Sequence, residues 1–104
     1  MEFLKRQIDM MAHLKMNRLH LHLTDAAGWR MEVESYPRLT SYAAWRAEPT
    51  WKEWSQNGYK YVEEGTEGAY GGYYTKAELR DIVAYAEDRY ITIIPEIELP
   101  GHSD

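Results

Sequence analysis

Asp25 closes an alternating run, Leu19-His20-Leu21-His22-Leu23-Thr24, and His102 follows a second alternating run through Pro100 and Gly101. An aspartate that accepts a hydrogen bond from one ring nitrogen of a histidine fixes the imidazole's tautomer and orientation. It leaves the second nitrogen to contact another group. Taken alone, the same residues also read as a turn-capping aspartate and a solvated histidine. Glu96 and Glu98 share one face of the second run, where carboxylates can act as acid, base or acceptor for hydroxyl groups. They are same-face neighbours along one strand, whereas the two carboxylates of a glycosidase flank the substrate at roughly 5 to 9.5 Å. Glu96 is therefore assigned to structural ion pairing and Glu98 to substrate contact or support of the site. His20 and His22 form an H-x-H pair that binds zinc or another divalent metal when a carboxylate and a further histidine converge, as Asp25 and His102 would. Histidines hydrogen-bonded inside a barrel account for the spacing equally well, and neither metal nor cofactor is assigned. Trp29 and Arg30 follow Gly28, whose backbone freedom suits a tight turn. Trp29 is expected to wall a pocket, or simply to pack under the long loop, and Arg30 to pair with Glu96 or Glu98.

These groups need elements that bring them together. Leu4, Ile8, Met11 and Leu14 recur every three or four residues between Glu2 and Met16, which predicts an amphipathic helix feeding the Leu19 strand. Strand alternation puts Leu19, Leu21 and Leu23 on one face and His20, His22 and Thr24 on the other. Thr75 and Glu78 form a T-x-x-E capping box opening a second helix, with Leu79, Ile82, Val83 and Ala86 on one face, to about Arg89. It feeds a second strand with Ile91, Ile93 and Ile97 on one side and Thr92, Ile94, Glu96 and Glu98 on the other. Helix, strand, long connection, helix, strand implies parallel strands with helical crossovers and an α/β class. The connection from Arg30 to Tyr74 is long enough to carry elements of its own. Tyr59 to Val62 and Tyr70 to Tyr74 are expected to form a hairpin around the Gly65 to Gly68 turn. Two such strands cannot be covered on both faces by two helices, and a closed (β/α)₈ barrel takes about 250 residues. The 104 residues therefore read as an excerpt of a barrel.

A hydrophobic content of 44% with 28% charged residues is that of a soluble globular domain. Twelve basic against seventeen acidic residues, net charge −5, with no Lys/Arg cluster, argue against nucleic-acid and anionic-membrane surfaces. The absence of cysteine excludes disulfides, thiolate metal sites and a cysteine nucleophile, and leaves the compartment open. The N-terminus has no signal-peptide pattern, and no apolar run approaches the roughly 18 to 20 residues of a membrane span. Nine Tyr and four Trp against one Phe supply flat apolar faces with polar handles, which suit sugar rings as well as core packing.

Together the motifs form a signature. Arg18-Leu19-His20-Leu21-His22-Leu23-Thr24-Asp25, Gly28-Trp29-Arg30, Tyr36-Pro37-Arg38-Leu39-Thr40, Gly71-Gly72-Tyr73-Tyr74-Thr75 and Pro95-Glu96-Ile97-Glu98-Leu99-Pro100-Gly101-His102 occur in that order. The set resembles glycoside hydrolase family 20, the β-N-acetylhexosaminidases, over essentially the whole chain. The resemblance implies that residues 1–104 belong to the catalytic (β/α)₈ TIM barrel, supplying its first helix, second strand, a long loop, second helix and third strand. It implies an N-acetylhexosamine-containing glycan as the parent enzyme's substrate, cleaved at a terminal β-linked sugar with substrate assistance. The substrate's acetamide oxygen attacks the anomeric carbon, a Glu protonates the departing oxygen, and an adjacent Asp orients the acetamide as it becomes an oxazolinium. Asp25 and His102 then correspond to the relay that hydrogen-bonds and tunes that Glu. His22, Trp29, Arg30 and Glu98 would support the site or touch substrate. No Asp-Glu dipeptide occurs in the sequence, so the chain by itself is expected to be inactive. Ala26 and Ala27 stand where many members of the family carry a carboxylate and an amide.

Two other readings remain open at this stage. One is a metal-dependent barrel hydrolase using His20, His22, Asp25 and His102. The other is a non-catalytic piece whose open sheet edges favour strand exchange or homo-oligomers. The parent's compartment is left unassigned, with the periplasm or the exterior as candidates.

Overall fold

The apolar spacing at the N-terminus winds Glu2–His13 into α1, with Leu4 and Ile8 on its buried face. In the computed structural model, which describes residues 1–103, this helix stops short of the predicted Met16. Lys15 takes a left-handed φ of 59°, and the Met16 N–H turns back to the Met11 carbonyl at 2.9 Å. This is a Schellman closure with lysine where glycine is usual. The chain then enters β1, Arg18–His22.

β1 pairs in parallel with the last strand, Thr92–Glu96, in a register that sets His20 opposite Ile94 and His22 opposite Glu96. The crossover helix, Lys76–Glu87, carries the predicted capping box. The Thr75 hydroxyl accepts the Glu78 N–H at 3.2 Å, and the Glu78 carboxylate accepts the Thr75 N–H at 2.9 Å. It ends as α1 does: Tyr90 has φ 60° and the Ile91 N–H reaches the Ala86 carbonyl at 2.9 Å. Leu4, Ile8, Ile82, Ala86 and Ile91 form the buried cluster, and Leu19, Leu21 and Ile93 of the sheet pack against it. Lys5 to Asp81 at 2.8 Å and Asp9 to Arg89 at 2.7 Å link the two helices at the surface. The helices thus cover the leucine and isoleucine face, and the histidine face points the other way. This is the expected α/β arrangement around a parallel strand pair.

The long connection folds into small elements. Thr24–Asp25 (β2) and Gly28–Trp29 (β3) form an antiparallel pair, so the strand predicted through Thr24 breaks at Leu23. Gly28 lies on β3 with φ 152°; a Cβ there would sit 2.4 Å from the Arg30 guanidinium. Next come α2 (Arg38–Ser41), β4 (Trp45–Arg46), α3 (Trp51–Gln56) and β5 (Tyr70–Gly71). The crossover helix is accordingly α4 and the final strand β6. The expected hairpin between Tyr59–Val62 and Tyr70–Tyr74 does not form. Both segments pair instead with β4: Arg46 bridges to Tyr61 on one side, and β4 runs antiparallel to β5 on the other. Trp45–Arg46 is the centre of that small sheet because Gly71 lets the backbones close. A Cβ on Gly71 would lie 2.0 Å from the Ala44 carbonyl oxygen. Beneath it, Trp54 is fully buried with its indole N–H donated to the Lys60 carbonyl at 2.9 Å, edge-on to Trp51, Tyr59 and Tyr61. No helix among the described residues is long and apolar enough to cross a membrane.

Candidate active site

The two parallel strands end side by side, and three contacts hold their tips together. The Leu23 N–H donates to the Glu96 carbonyl at 3.2 Å, one step beyond the ladder. The Glu98 N–H donates to the buried Thr24 hydroxyl at 2.8 Å. The third contact is the pair of principal interest: Asp25 Oδ2 lies 3.1 Å from His102 Nδ1. His102 sits at φ 55° in the left-handed region, a conformation that non-glycine residues adopt sparingly. Asp25 Oδ1 accepts the Ala26 N–H at 2.7 Å, which fixes the carboxylate plane.

His22 joins this pair. Its Nε2 is 3.0 Å from Asp25 Oδ2, and its Nδ1 makes a short contact with Glu96 Oε1, the residue opposite it in register. The other oxygen of Glu96 meets His20 Nε2 at 2.6 Å. A row His20, Glu96, His22, Asp25, His102 therefore crosses the polar face of the sheet, with the rings of His22 and His102 edge to face at 5.1 Å. The charges follow from the row. Glu96 first and Asp25 second raise the His22 pKa above its ordinary value. Donation from His22 holds both carboxyls below theirs, helped at Asp25 by the Ala26 N–H and His102 and at Glu96 by His20 and a hydrogen bond with Glu98. Ligand atoms of His22, Asp25 and His102 lie within 4.8 Å of one another, as do those of His22, Glu96 and Glu98. In the row these atoms serve one another as donor and acceptor, and the arrangement does not require a cation.

Arg30 does not pair with Glu96 or Glu98. Its Nη1 donates to the carbonyls of Ala44 (2.7 Å) and Gly72 (2.8 Å), and its Nη2 to that of Ala27 (3.1 Å). The side chain turns into the long connection because Gly28 leaves room for it, and there it ties β3 to the ends of β4 and β5. Burial, with Arg46 nearby, lowers its pKa. Trp29 donates its indole N–H in a short bond to the Met31 carbonyl. It walls a cavity of about 240 Å³ together with Asp25, Tyr61, Glu98, Leu99 and His102. Tyr61 closes that cavity by donating its hydroxyl to the Ala26 carbonyl in a short bond. Glu98 lines it, tied through its backbone to Thr24 and through its carbonyl to the Ser103 hydroxyl at 3.0 Å. Two further residues, Thr24 and Tyr61, belong to the site. Thr24 was detectable as a hydroxyl on the polar side of the strand immediately before Asp25, whereas Tyr61 arrives from a distant segment without a local signal.

The geometry is a histidine and carboxylate cluster at the tips of parallel strands, roofed by an aromatic loop. The comparisons agree with it. The model of the glycosyl hydrolase family 20 catalytic domain matches residues 1–104. A β-hexosaminidase of Porphyromonas gingivalis is 46% identical over 102 residues, covering 98% of this chain and 11% of the relative. One from Vibrio furnissii is 46% identical over 103 residues, covering 99% and 16%. Among solved structures, an exo β-N-acetylglucosaminidase of this family from Vibrio harveyi, in complex with N-acetylglucosamine, matches with a TM-score of 0.77 and 46% identity. That match covers 97% of this chain and 15% of the other. The chain thus spans a small part of the relatives it matches. Its strand order, its five motifs and the match along its whole length lead to one conclusion: the chain belongs to glycosyl hydrolase family 20.

Proposed function

We propose that the protein carrying this chain is a β-N-acetylhexosaminidase that removes terminal, non-reducing N-acetylhexosamine from glycans. Residues 1–104 form one sector of its catalytic (β/α)₈ barrel: first helix, second strand, elaborated loop, second helix and third strand. The observation that carries the reading is the 3.1 Å approach of Asp25 Oδ2 to His102 Nδ1 at the tips of neighbouring parallel strands. That is the end of a barrel where working groups collect.

Asp25 accepts from His102 Nδ1 and thereby leaves Nε2 free to meet the general acid, a Glu contributed from outside this chain. The substrate's own acetamide oxygen is the nucleophile, and the Asp next to the acid orients it. Neither the acid nor its neighbour is in this sequence, so residues 1–104 alone do not turn over substrate. Trp29 and Glu98 line the cavity beside the pair, where they wall the bound sugar and meet its hydroxyls. Arg30 acts indirectly, by fixing the loop that carries Trp29. The unpaired edges of β1 and β6 in the separate chain favour self-association.

The test is hydrolysis of an aryl N-acetyl-β-glucosaminide by the whole protein and by residues 1–104. The whole protein cleaves it, insensitive to chelators, and the 104-residue chain does not. Asp25→Asn in the whole protein presents an amide to His102 and lowers kcat by about 10²-fold or more. Chelator-sensitive activity, or full activity in Asp25→Asn, overturns the reading.

A further inference from the structure

His22 has both ring nitrogens against carboxylate oxygens: Nδ1 on Glu96 Oε1 and Nε2 on Asp25 Oδ2 at 3.0 Å. An ionised carboxylate only accepts, and a neutral imidazole has one donor nitrogen and one acceptor. A neutral ring in this place would turn a lone pair toward an oxygen on one side or the other. A proton on the Asp25 or Glu96 carboxyl is disfavoured by their other partners: Asp25 accepts the Ala26 N–H at 2.7 Å and faces His102 Nδ1 at 3.1 Å, and Glu96 faces His20 Nε2 at 2.6 Å and hydrogen-bonds with Glu98. We propose that His22 is a positioning residue held as an imidazolium between Glu96 and Asp25, and that it sets the orientation and the proton arrangement of the Asp25–His102 pair.

Register makes the arrangement local and stiff. His22 and Glu96 are direct partners across β1 and β6, so their side chains leave the sheet from the same face. Asp25 Oδ2 is then shared between two rings standing 79° apart, which fixes its place more tightly than either ring alone. The charge matters as much as the geometry. With an imidazolium beside it, the Asp25 carboxylate is already balanced and draws less strongly on His102. The His102 ring keeps its proton on Nδ1 and its lone pair on Nε2. Without that cation, Asp25 has His102 as its sole imidazole partner, and its full charge acts on that ring.

The carboxylates lie closer to His22 than the basic groups do. Glu96, Asp25 and Glu98 present negative charge from the neighbouring strand, its own strand's extension and the turn before His102. On the opposing side lie His20 along the strand, His102 edge-on, and Arg30 across a cavity of about 480 Å³ that Tyr70, Tyr73 and Tyr74 also line. Arg30 is committed to three backbone carbonyls, so it does not replace His22 as the partner of either carboxylate. Glu96 and Asp25 accordingly hold the His22 pKa above its ordinary value.

The kinetic part of the test rests on the proposed activity; the spectroscopic part does not. In the whole protein labelled with ¹⁵N-histidine, the His22 signals, assigned by their loss in His22→Gln, are expected to show protons on both ring nitrogens at about pH 7.5, where an ordinary imidazole is mostly neutral. A neutral ring with one N–H overturns the proposal. His22→Gln is expected to lower kcat by about 10²-fold with KM nearly unchanged, and to move the acidic limb of the kcat profile to higher pH. Glu96→Gln keeps every heavy-atom position and shifts the limb in the same direction, so it decides the matter if His22→Gln does not fold. Loss of thermal stability with an unmoved pH profile in both variants would reduce His22 to a structural brace and sink the idea. If the wild-type protein lacks hexosaminidase activity, the activity assignment fails while the two-proton signature of His22 still stands or falls by itself.

Discussion

The N–H of Glu98 donates to the hydroxyl of Thr24 at 2.8 Å, joining two strands past the end of their backbone ladder. Thr24 is 5% exposed, so water does not compete for the bond. It stands between the ladder and Asp25 on one strand, and between the ladder and His102 on the other. Thr24→Val keeps the shape and removes the acceptor, leaving the Glu98 N–H without its partner. The expected loss is about 1 to 3 kcal/mol in denaturant unfolding of the whole protein, with faster amide exchange at Glu98. Unchanged exchange at Glu98 would show that the hydroxyl does not join the tips.

Arg30 holds the carbonyls of Ala27, Ala44 and Gly72 with one guanidinium. Methionine matches much of its length and none of its donors. Arg30→Met is expected to destabilise by about 3 kcal/mol, since charged donors are lost and the carbonyls are left short of partners. Limited proteolysis should then cut between Glu63 and Gly68 sooner than in the wild type. Lysine should recover only part of the loss, because its ammonium cannot span the acceptors as a planar fork does.

Tyr90 closes α4 at φ 60° and is 91% exposed. Its side chain contributes little packing, whereas its Cβ opposes the left-handed backbone. Tyr90→Gly is expected to stabilise by about 1 kcal/mol, read as a higher unfolding midpoint, despite glycine's greater chain entropy. A lower midpoint would mean that the ring has a packing role after all.

The row on the polar face also fixes a pH window. His22 is raised from 6.5, so its stabilisation is fully present below that value and fades as pH climbs through the higher folded-state pKa. Asp25 and Glu96 are depressed from 3.8 and 4.5, so theirs is present above those values and fades as pH falls through the lower folded-state pKa values. These are the same contacts seen from both partners and count once. The stability difference between the wild type and His22→Gln is therefore expected to be greatest between about pH 4.5 and 6.5, shrinking on either side. Thermal midpoints across that range measure it, and a difference independent of pH contradicts the assignment.

Much of this arrangement was legible in the residues because local signals agreed with one another. The three-and-four spacing of Leu4 and Ile8, the alternation around Leu19 and Ile93, and the Thr75 and Glu78 box each placed an element correctly. The meeting of Asp25 and His102 followed from two parallel strands ending together. A repeat of the same capping pattern, Thr50 with Glu53, opens α3 and went unread: the Thr50 hydroxyl accepts the Glu53 N–H at 3.3 Å. The helix is too short to show a period, so its cap was the sole cue. Arg30 differs for another reason: charge alone pairs it with Glu96 or Glu98, whereas its acceptors are peptide carbonyls up to 42 residues away. The role of Trp45–Arg46 as a central strand was hidden for the same cause, since two residues carry no pattern and their partners are remote in sequence.

Because the Arg30 fork clasps the connection close to where it leaves and rejoins the strands, that excursion resembles a bracket bolted at its base rather than a hanging strap. Its outer rim around Glu63 to Gly68 lies beyond the bolt. Side chains there can be exchanged or lengthened while the fork, and with it the base of the connection beside Asp25, stays in place.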